Sequence, residues 1–187
     1  MRRDEALTIV YDAMDEKAVF IFTNGRISRE GYLKRDAPRN FYMLASMGKT
    51  VSIGLGIALE RKERRVVVID GDGNVLMNLD NLAMVGYLQP ANLVHVVLDN
   101  EIYATTGGQE TLSAKIDLSE VAKACGYPSV WRVQSREELQ AALEQIREKQ
   151  GPHFLLAKVE KEQLEGTKII PYTPEEIKTR FMGILAS

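Results

Sequence analysis

The chain has 187 residues, 45% of them hydrophobic, and carries 24 Lys and Arg against 26 Asp and Glu, a formal net charge of −2. This length and composition predict one globular domain, residues 1–187, with a full core. The mixed charge argues against nucleic acid and membrane surfaces as partners, and the single cysteine, Cys125, excludes an internal disulfide and a cysteine-based metal cluster. Because we find neither a targeting leader nor an apolar run long enough to cross a bilayer, we expect a cytoplasmic protein.

The hydrophobic pattern alternates between helical and strand periodicity along the chain. In chain order we predict a helix at 4–14, a strand at 18–23, a helix at 28–35, a strand at 40–44, a helix at 49–60, a strand at 66–69, a helical crossover, a strand at 93–98, a loop at 101–109, a helix at 118–125, a strand at 130–133, a helix at 136–149, a strand at 154–159, a linker at 163–172 and a terminal helix at 173–187. This alternation predicts an α/β fold, a doubly wound and mainly parallel sheet with helices on both faces. His95 and His153 fall in or beside predicted strands, and we expect both to be structural.

A polar turn, Asn24-Gly25, follows the first strand, and Ser28 is expected to cap the next helix. A polar turn at a strand end beside a helix start would contribute to a ligand-binding edge, although Asn-Gly is also a common turn without function. We expect Arg26 and Arg29 to be solvated, although they lie where an anionic substrate could be met.

The most informative stretch is 66–102, in which two apolar strands are joined by a helical crossover. The first strand ends in Asp70-Gly71-Asp72-Gly73-Asn74 and the second in Asp99-Asn100. Because ligands bind outside the carboxyl ends of parallel strands, Asp72 and Asn100 are expected to meet at one edge, where their oxygens suit Mg²⁺ or Ca²⁺. The glycines, and a helix expected to start near Asn74, suit a phosphate group. The pattern therefore predicts a site for a metal ion and a phosphate group together.

Three other interpretations of this stretch are weaker. An EF-hand loop would need Gly and Glu where the chain has Val75 and Asn81. A haloacid-dehalogenase-type phosphatase would end the next strand in Ser or Thr, where the chain has Asp99-Asn100. An acidic turn in which Asp72 only caps a helix does not explain the paired Asn100.

The GDGN and DN sequences of this stretch resemble the diphosphate-binding motif of thiamine-diphosphate enzymes, a GDG followed by a distant Asn. The resemblance implies that Mg²⁺, bridging the cofactor diphosphate, is held by Asp72, Asn100 and the backbone carbonyl of Ile102.

A second segment, NFYMLASMGKTVSIGLGIAL at 40–59, resembles the GSMG-x-x-x-SIGLGLAL segment of thiamine-dependent decarboxylase subunits. The resemblance implies that Met47 supports the bent form of the cofactor and that the carbonyl of Ala45 accepts a hydrogen bond from its 4′-amino group. This bend brings the amino group against the reactive carbon. Ala45 replaces the usual Gly, which should matter little if only its carbonyl is used. Lys49 replaces a usual apolar residue and is unexplained.

After Asn100 no hydrophobic period survives, and two glycines with several hydroxyl and amide side chains suit a loop that closes over a ligand. The segment resembles the STGGQ-type loop of sulfopyruvate and phosphonopyruvate decarboxylases; a simple flexible loop is the alternative. Together, the resemblances imply as cofactor-binding residues Asn24, Gly25, Ser46, Met47, Gly48, Gly71, Asp72, Gly73, Asn74, Asn100, Ile102, Tyr103 and Thr105.

Nearly the whole chain shares this resemblance, which is closest to the β subunit of sulfopyruvate decarboxylase and then to phosphonopyruvate decarboxylase. It implies a decarboxylase of a small 2-oxoacid with thiamine diphosphate and Mg²⁺ as cofactors. The activating Glu of such enzymes lies in a separate pyrimidine-binding domain, so we expect a second subunit, a hetero-oligomer, and inactivity and self-association when the chain is alone. Two alternatives stay open: a subunit of another thiamine enzyme, such as a 2-oxoacid oxidoreductase or an acetolactate-type enzyme, and a non-catalytic thiamine-diphosphate-binding regulatory subunit.

Overall fold

A computed structural model describes residues 1–161 and 169–186. Its strands are β1 Val19–Phe22, β2 Asn40–Tyr42, β3 Val66–Gly71, β4 Leu93–Asp99, β5 Ile102–Tyr103, β6 Gln109–Glu110, β7 Ser129–Val133 and β8 His153–Lys158. Its α-helices are α1 Arg3–Ala13, α2 Arg26–Lys34, α3 Thr50–Glu60, α4 Asp72–Met77, α5 Asp80–Leu88, α6 Leu118–Ala124, α7 Arg136–Glu148 and α8 Pro174–Ala186. A short 3-10 helix covers Leu112–Ala114.

Six of these strands form one sheet in the order β2-β1-β3-β4-β8-β7, and every neighbouring pair is parallel. The chain moves outward from β1 to β2 and then returns to the other side of β1 to form β3. The strand order therefore reverses between β1 and β3, the position at which open α/β sheets bind ligands. The predicted mainly parallel α/β sheet is confirmed.

The sheet has a hydrophobic core on each face because successive strand side chains point in opposite directions. In β3, Val67 and Ile69 pack in one core, with α1 and α7, while Val66 and Val68 pack in the other, with α3, α5 and α6. The central strands are buried on both faces, which explains their continuous apolar runs. Helices therefore cover both faces, as predicted.

Several local predictions were wrong. Ser28 does not cap a helix: α2 starts at Arg26 with Gly25 as its N-cap, and the Ser28 hydroxyl donates to the carbonyl of Thr23 at 2.6 Å. The crossover consists of two helices, and the first begins at Asp72 instead of near Asn74. The predicted loop at 101–109 contains most of a small antiparallel hairpin, β5 with β6.

The C-terminal segment returns to the sheet edge near β2. Residues 163–168 of the predicted linker, and Ser187, lie outside the described residues, and α8 starts one residue after Thr173, which forms the predicted cap with Glu176. The segment is held by Asp36, whose carboxylate accepts hydrogen bonds from Tyr172 at 2.6 Å and Arg180 at 2.9 Å. Burial alone would raise the pKa of Asp36, but these two bonds together hold it below its ordinary value. In the part of the chain described, no helix is long and apolar enough to span a membrane.

Candidate functional site

A cleft opens at the carboxyl ends of β1, β3 and β4, where the strand order reverses. Most of the predicted site residues line it, namely Asn24, Gly25, Met47, Gly71, Asp72, Gly73, Asn74, Asn100, Ile102, Tyr103 and Thr105. Ala45, Ser46 and Gly48 are not among the lining residues; they form the turn that presents Met47. The edge predicted from strand ends is therefore a single cleft in the structure.

Asp72 is buried in this cleft, with 3% of its surface exposed. Its Oδ2 accepts hydrogen bonds from the hydroxyls of Thr111 at 2.5 Å and Ser113 at 3.0 Å. Burial raises the pKa of Asp72, and the neighbouring Asp99 carboxylate raises it further, while the Thr111 hydroxyl acts in the opposite direction. A cation beside Asp72 would offset both the burial and the repulsion.

Two acidic side chains, Asp99 and Glu101, surround Asn100 and fix the end of β4. Asp99 accepts hydrogen bonds from Ser113 at 2.8 Å and Lys158 at 2.8 Å, and Lys158 also contacts Glu101 at 2.5 Å. The Asp99 carboxylate is 1% exposed, and it is neutralised by Lys158 and hydrogen-bonded by Ser113. Asp99 is therefore structural, and the open ligand oxygens of this strand end belong to its neighbours.

The chain turns sharply after Asn100. Its side-chain oxygen accepts the N–H of Ile102 at 3.3 Å, and the intervening Glu101 has a left-handed φ of 61°. A carbonyl oxygen has two lone pairs, so the Asn100 amide oxygen can accept this bond and still face a cation. In the described residues no group of three or more His, Cys, Asp and Glu side chains is placed to hold a metal. A metal in this cleft would have to use Asp72 with the amide oxygen and a backbone carbonyl.

Met47 lies at the cleft on a turn with two left-handed residues, Ser46 at φ 60° and Gly48 at φ 86°. The Gly48 N–H donates to the side-chain oxygen of Asn74 at 2.6 Å. The Asn74 amide nitrogen donates to Thr50 at 3.0 Å and, more closely, to Asp70. The Asn74 amide is thus occupied by protein groups, and it links the end of β3 to the Met47 turn.

Two further asparagines hold the same turn from the other side. Asn78 and Asn81 both donate to the Gly48 carbonyl at 2.9 Å. Sequence analysis missed this role, and helical spacing could not have revealed it because α4 ends at Met77 and Asn78 lies between the two helices. A Cβ on Gly48 would lie 3.0 Å from the Asn78 Cβ, so the turn has little room for another residue.

Glycine at position 73 lets a tyrosine approach the start of α4. A Cβ added at Gly73 would overlap the ring of Tyr103, and one added at Gly71 would approach Ile27 at 3.3 Å. Beyond Tyr103, residues Thr105 to Glu110 are exposed and form the loop and the strand β6 of the hairpin. The Thr105 methyl group lies over Gly25. Of the segment 105–110, Thr105 lines the cleft, and closure of the segment over a ligand stays a prediction.

Sequence analysis also missed a buried ion pair at the cleft. Arg3, 6% exposed, donates two hydrogen bonds to Glu30, 1% exposed, at 2.7 and 2.5 Å. Arg3 lines the cleft, but its position two residues from the chain start carried no signal. The two histidines are buried and do not line the cleft, as expected: His95 Nδ1 lies 3.2 Å from the Tyr127 hydroxyl, and burial lowers the pKa of His153.

An all-parallel sheet with a glycine-rich cleft at its switch point, lined by carboxylate and amide oxygens, defines a domain that binds a phosphorylated cofactor. Comparison with known proteins narrows this class. Residues 24–157 match the family model described as thiamine pyrophosphate enzyme, C-terminal TPP binding domain. The chain therefore belongs to the thiamine pyrophosphate enzyme family, as its C-terminal, cofactor-binding domain.

Two relatives and a solved structure illustrate this membership. Phosphonopyruvate decarboxylase of Streptomyces viridochromogenes is 40% identical over 99% of this chain and 46% of its own length. Sulfopyruvate decarboxylase subunit beta of Methanothermobacter thermautotrophicus is 42% identical over 97% of this chain and 94% of its own length. Benzoylformate decarboxylase from Polynucleobacter necessarius superposes with a TM-score of 0.71 at 17% identity, over 88% of this chain and 34% of that one. The chain thus spans about half the length of the phosphonopyruvate decarboxylase but nearly all of the beta subunit.

Proposed function

We propose that this chain is the diphosphate-binding subunit of a hetero-oligomeric, thiamine-diphosphate-dependent decarboxylase that acts on sulfopyruvate or phosphonopyruvate. The observation that carries the proposal is the convergence of Asp72, Asn100, Ile102 and Met47 on one cleft at the switch point of the sheet. Similarity to a sulfopyruvate decarboxylase beta subunit over nearly the full length of both chains supports the substrate class.

The metal in this proposal is Mg²⁺, held by Asp72, Asn100 and the carbonyl of Ile102. All three residues line the cleft, and their oxygens are the hard ligands that Mg²⁺ prefers. The donor set fits the ion because the one carboxylate is buried beside a second carboxylate, and a cation would stabilise its ionised form. Thr111 and Ser113 both donate to Oδ2 of Asp72 and would orient the carboxylate.

The cofactor diphosphate would lie along Gly71 and Gly73, with Asn24, Gly25, Tyr103 and Thr105 around it. When bound, thiamine diphosphate supplies the nucleophilic carbon and the electron sink that decarboxylation of a 2-oxoacid needs. Met47, held by the asparagine contacts to Gly48, would support the cofactor from below. The Ala45 carbonyl would accept a hydrogen bond from its amino group.

A partner subunit is needed because the described cleft lacks a second acid. Asp72 is the only Asp or Glu among the residues that line it, and it is assigned to the metal. General acid–base activation of the cofactor needs a separate carboxylate. The second subunit would supply a pyrimidine-binding domain with this Glu.

Reconstitution tests the proposal. The chain alone is expected to show negligible decarboxylation of any 2-oxoacid, and the mixture with its cognate second subunit is expected to release CO₂ from sulfopyruvate or phosphonopyruvate in the presence of Mg²⁺. Coupled detection of the aldehyde product confirms the reaction. Full activity of the isolated chain would refute the need for a partner. Cofactor binding by the mixture without turnover would favour a regulatory subunit, and preference for pyruvate would discard the substrate class.

A further inference from the structure

A second cavity lies beside the cofactor cleft and shares part of its wall. Asn24, Gly25, Arg26 and Thr105 line both spaces. The cavity is bounded by the first turn of α2, by Met43 and Leu44 at the end of β2, and by part of the segment 169–172. A molecule in this cavity would therefore lie next to the proposed cofactor, across the wall that these four residues share.

The lining of this cavity, as far as the structure describes it, is positively charged. Arg26 and Arg29 line it, and none of its lining residues within 1–161 and 169–186 is Asp or Glu. The two arginines are three residues apart in α2, so they lie on the same side of the helix. Both were expected to be solvated, but each is half-buried.

Arg29 is the more informative of the two. Most arginines of the chain have a protein partner, as Arg3 has Glu30 and Arg180 has Asp36. Arg29, within the described ranges 1–161 and 169–186, makes no ion pair and no side-chain hydrogen bond. A half-buried guanidinium has lost part of its hydration, so an anion that supplies hydrogen-bond acceptors would be bound there with a net gain.

The other residues that line the cavity also favour the binding of an anion. The N-terminal turn of α2 has no acidic residue, and Gly25 offers no side-chain cap to it. The Ser28 hydroxyl, which also lines the cavity, is committed to backbone carbonyls of Thr23 and Met43. Donors open to a ligand in the cavity thus come from Arg29 and from backbone N–H groups at the start of α2, a set that suits a compact tetrahedral oxyanion.

We propose that Arg29, in a cavity that Arg26 also lines, binds the anionic tail of the substrate, the sulfonate or phosphonate group on carbon 3 of the 2-oxoacid. The inference rests on the proposed decarboxylase function and assigns its specificity to this cavity. Sulfopyruvate and phosphonopyruvate share this chemistry: each carries a tetrahedral oxyanion on a methylene group. Arg29 is accordingly a specificity-determining residue that acts on the tail and not on the carbon from which CO₂ leaves.

The test compares substrates with and without the tail in the reconstituted enzyme. For Arg29→Gln, the ratio of kcat/KM for sulfopyruvate to kcat/KM for pyruvate is expected to fall roughly ten- to a hundredfold, the loss typical of a hydrogen bond to a charged group. Arg29→Lys keeps the charge but not the planar donor pair and is expected to lose less. Phosphonopyruvate, measured in parallel, shows which oxyanion the arginines favour.

Arg147→Gln is the matched control, because Arg147 is exposed on α7 and far along the chain from both cavities. Its ratio is expected to equal that of the unmodified enzyme. Cofactor affinity and subunit assembly, measured for every variant by calorimetry and sedimentation, detect a role in cofactor or partner binding.

An unchanged ratio for Arg29→Gln would overturn the inference while leaving the proposed function intact. The same holds if Arg29→Gln weakens assembly with the second subunit but keeps the ratio, since the arginine would then face the partner. If the unmodified enzyme decarboxylates neither acid, the proposed function fails, and binding of 3-sulfopropionate to the assembled complex decides the inference alone. Tighter binding to the unmodified complex than to Arg29→Gln would still support an oxyanion site, and equal binding would refute it.

Discussion

Asn74 connects the end of β3, beside the proposed metal ligand Asp72, to the turn that carries Met47. Its side chain accepts the Gly48 N–H at 2.6 Å and donates to Thr50 and Asp70. All three contacts are buried, and Asn74 itself is 4% exposed. The substitution Asn74→Ala therefore removes three hydrogen bonds at once and leaves the Gly48 N–H without its acceptor.

The size of the effect follows from the groups left unpaired. A buried donor without a partner costs about 1–3 kcal/mol, and a hydrogen bond to a carboxylate contributes about 1.5–3 kcal/mol. Asp70 keeps a donor, the Gly71 N–H at 3.1 Å, so its loss is partial. We expect Asn74→Ala to lower the free energy of unfolding by about 3 kcal/mol, which corresponds to a fall in Tm of about 6–12 °C for a domain of this length.

Asn78→Ala is the matched control, because it is the same substitution at another asparagine that contacts Gly48 of the Met47 turn. Its carbonyl partner on Gly48 keeps a second donor, Asn81, at 2.9 Å, so the loss is expected to stay below about 1 kcal/mol. Urea denaturation and calorimetry of the isolated chain measure both variants. In the assembled enzyme, Asn74→Ala is expected to slow exchange of the thiazolium proton for deuterium because Met47 is no longer held. Equal destabilisation by the two variants would refute the reasoning.

Three further outcomes are expected. Gly54→Ala should lower the free energy of unfolding by about 1–3 kcal/mol because its Cβ would overlap the buried Val68. Gly56→Ala, two residues further along α3 and open to solvent, should raise the free energy of unfolding by about 0.5–1 kcal/mol. Denaturation measures both variants, and changes of the same sign would contradict the prediction. Asp72→Asn should weaken Mg²⁺-dependent cofactor binding in calorimetry by more than the roughly 10- to 100-fold typical of losing a residue that only orients a metal ligand; unchanged affinity would remove the metal assignment. The Asp36 carboxylate has a lowered pKa in the folded state, so it should stabilise the fold fully above its unfolded-state pKa and lose that contribution as the pH falls through the folded-state pKa. Asp36→Asn should therefore lower the free energy of unfolding by about 1 kcal/mol at pH 7, and this difference from the unmodified protein should shrink between pH 5 and pH 2. A difference that stays constant with pH would refute this.

The sheet was predictable from sequence because its central strands are buried on both faces. Val66 to Ile69 and Leu93 to Leu98 are almost uninterrupted apolar runs, which are typical of the central strands of a parallel sheet covered by helices. The position of the main cleft residues was predictable for the same reason. Asp72 and Asn100 directly follow β3 and β4, so they lie at the carboxyl edge of the sheet, whatever the connecting helices do.

The partners of those residues were not predictable. Thr111 and Ser113 reach Asp72 from about forty positions away, after a hairpin whose register no periodicity specifies. The pairing of Arg3 with Glu30 depends on α1 and α2 packing on one face of the sheet. Such contacts follow from tertiary packing, and a single sequence shows the residue types without showing which of them meet.

Backbone carbonyls are the least visible part of the site, and the structure indicates how they are presented. The two carbonyls assigned a role belong to Ala45 and Ile102. Each is next to a non-glycine residue in the left-handed region, Ser46 at φ 60° and Glu101 at φ 61°. Such a conformation costs free energy for an L-residue and persists only where surrounding contacts hold it, as the Lys158 contact to Glu101 does. Because the backbone and not the side chain supplies the carbonyl, Ala45 can serve as the proposed acceptor. The same reason explains why no residue type marks position 102 as the proposed ligand.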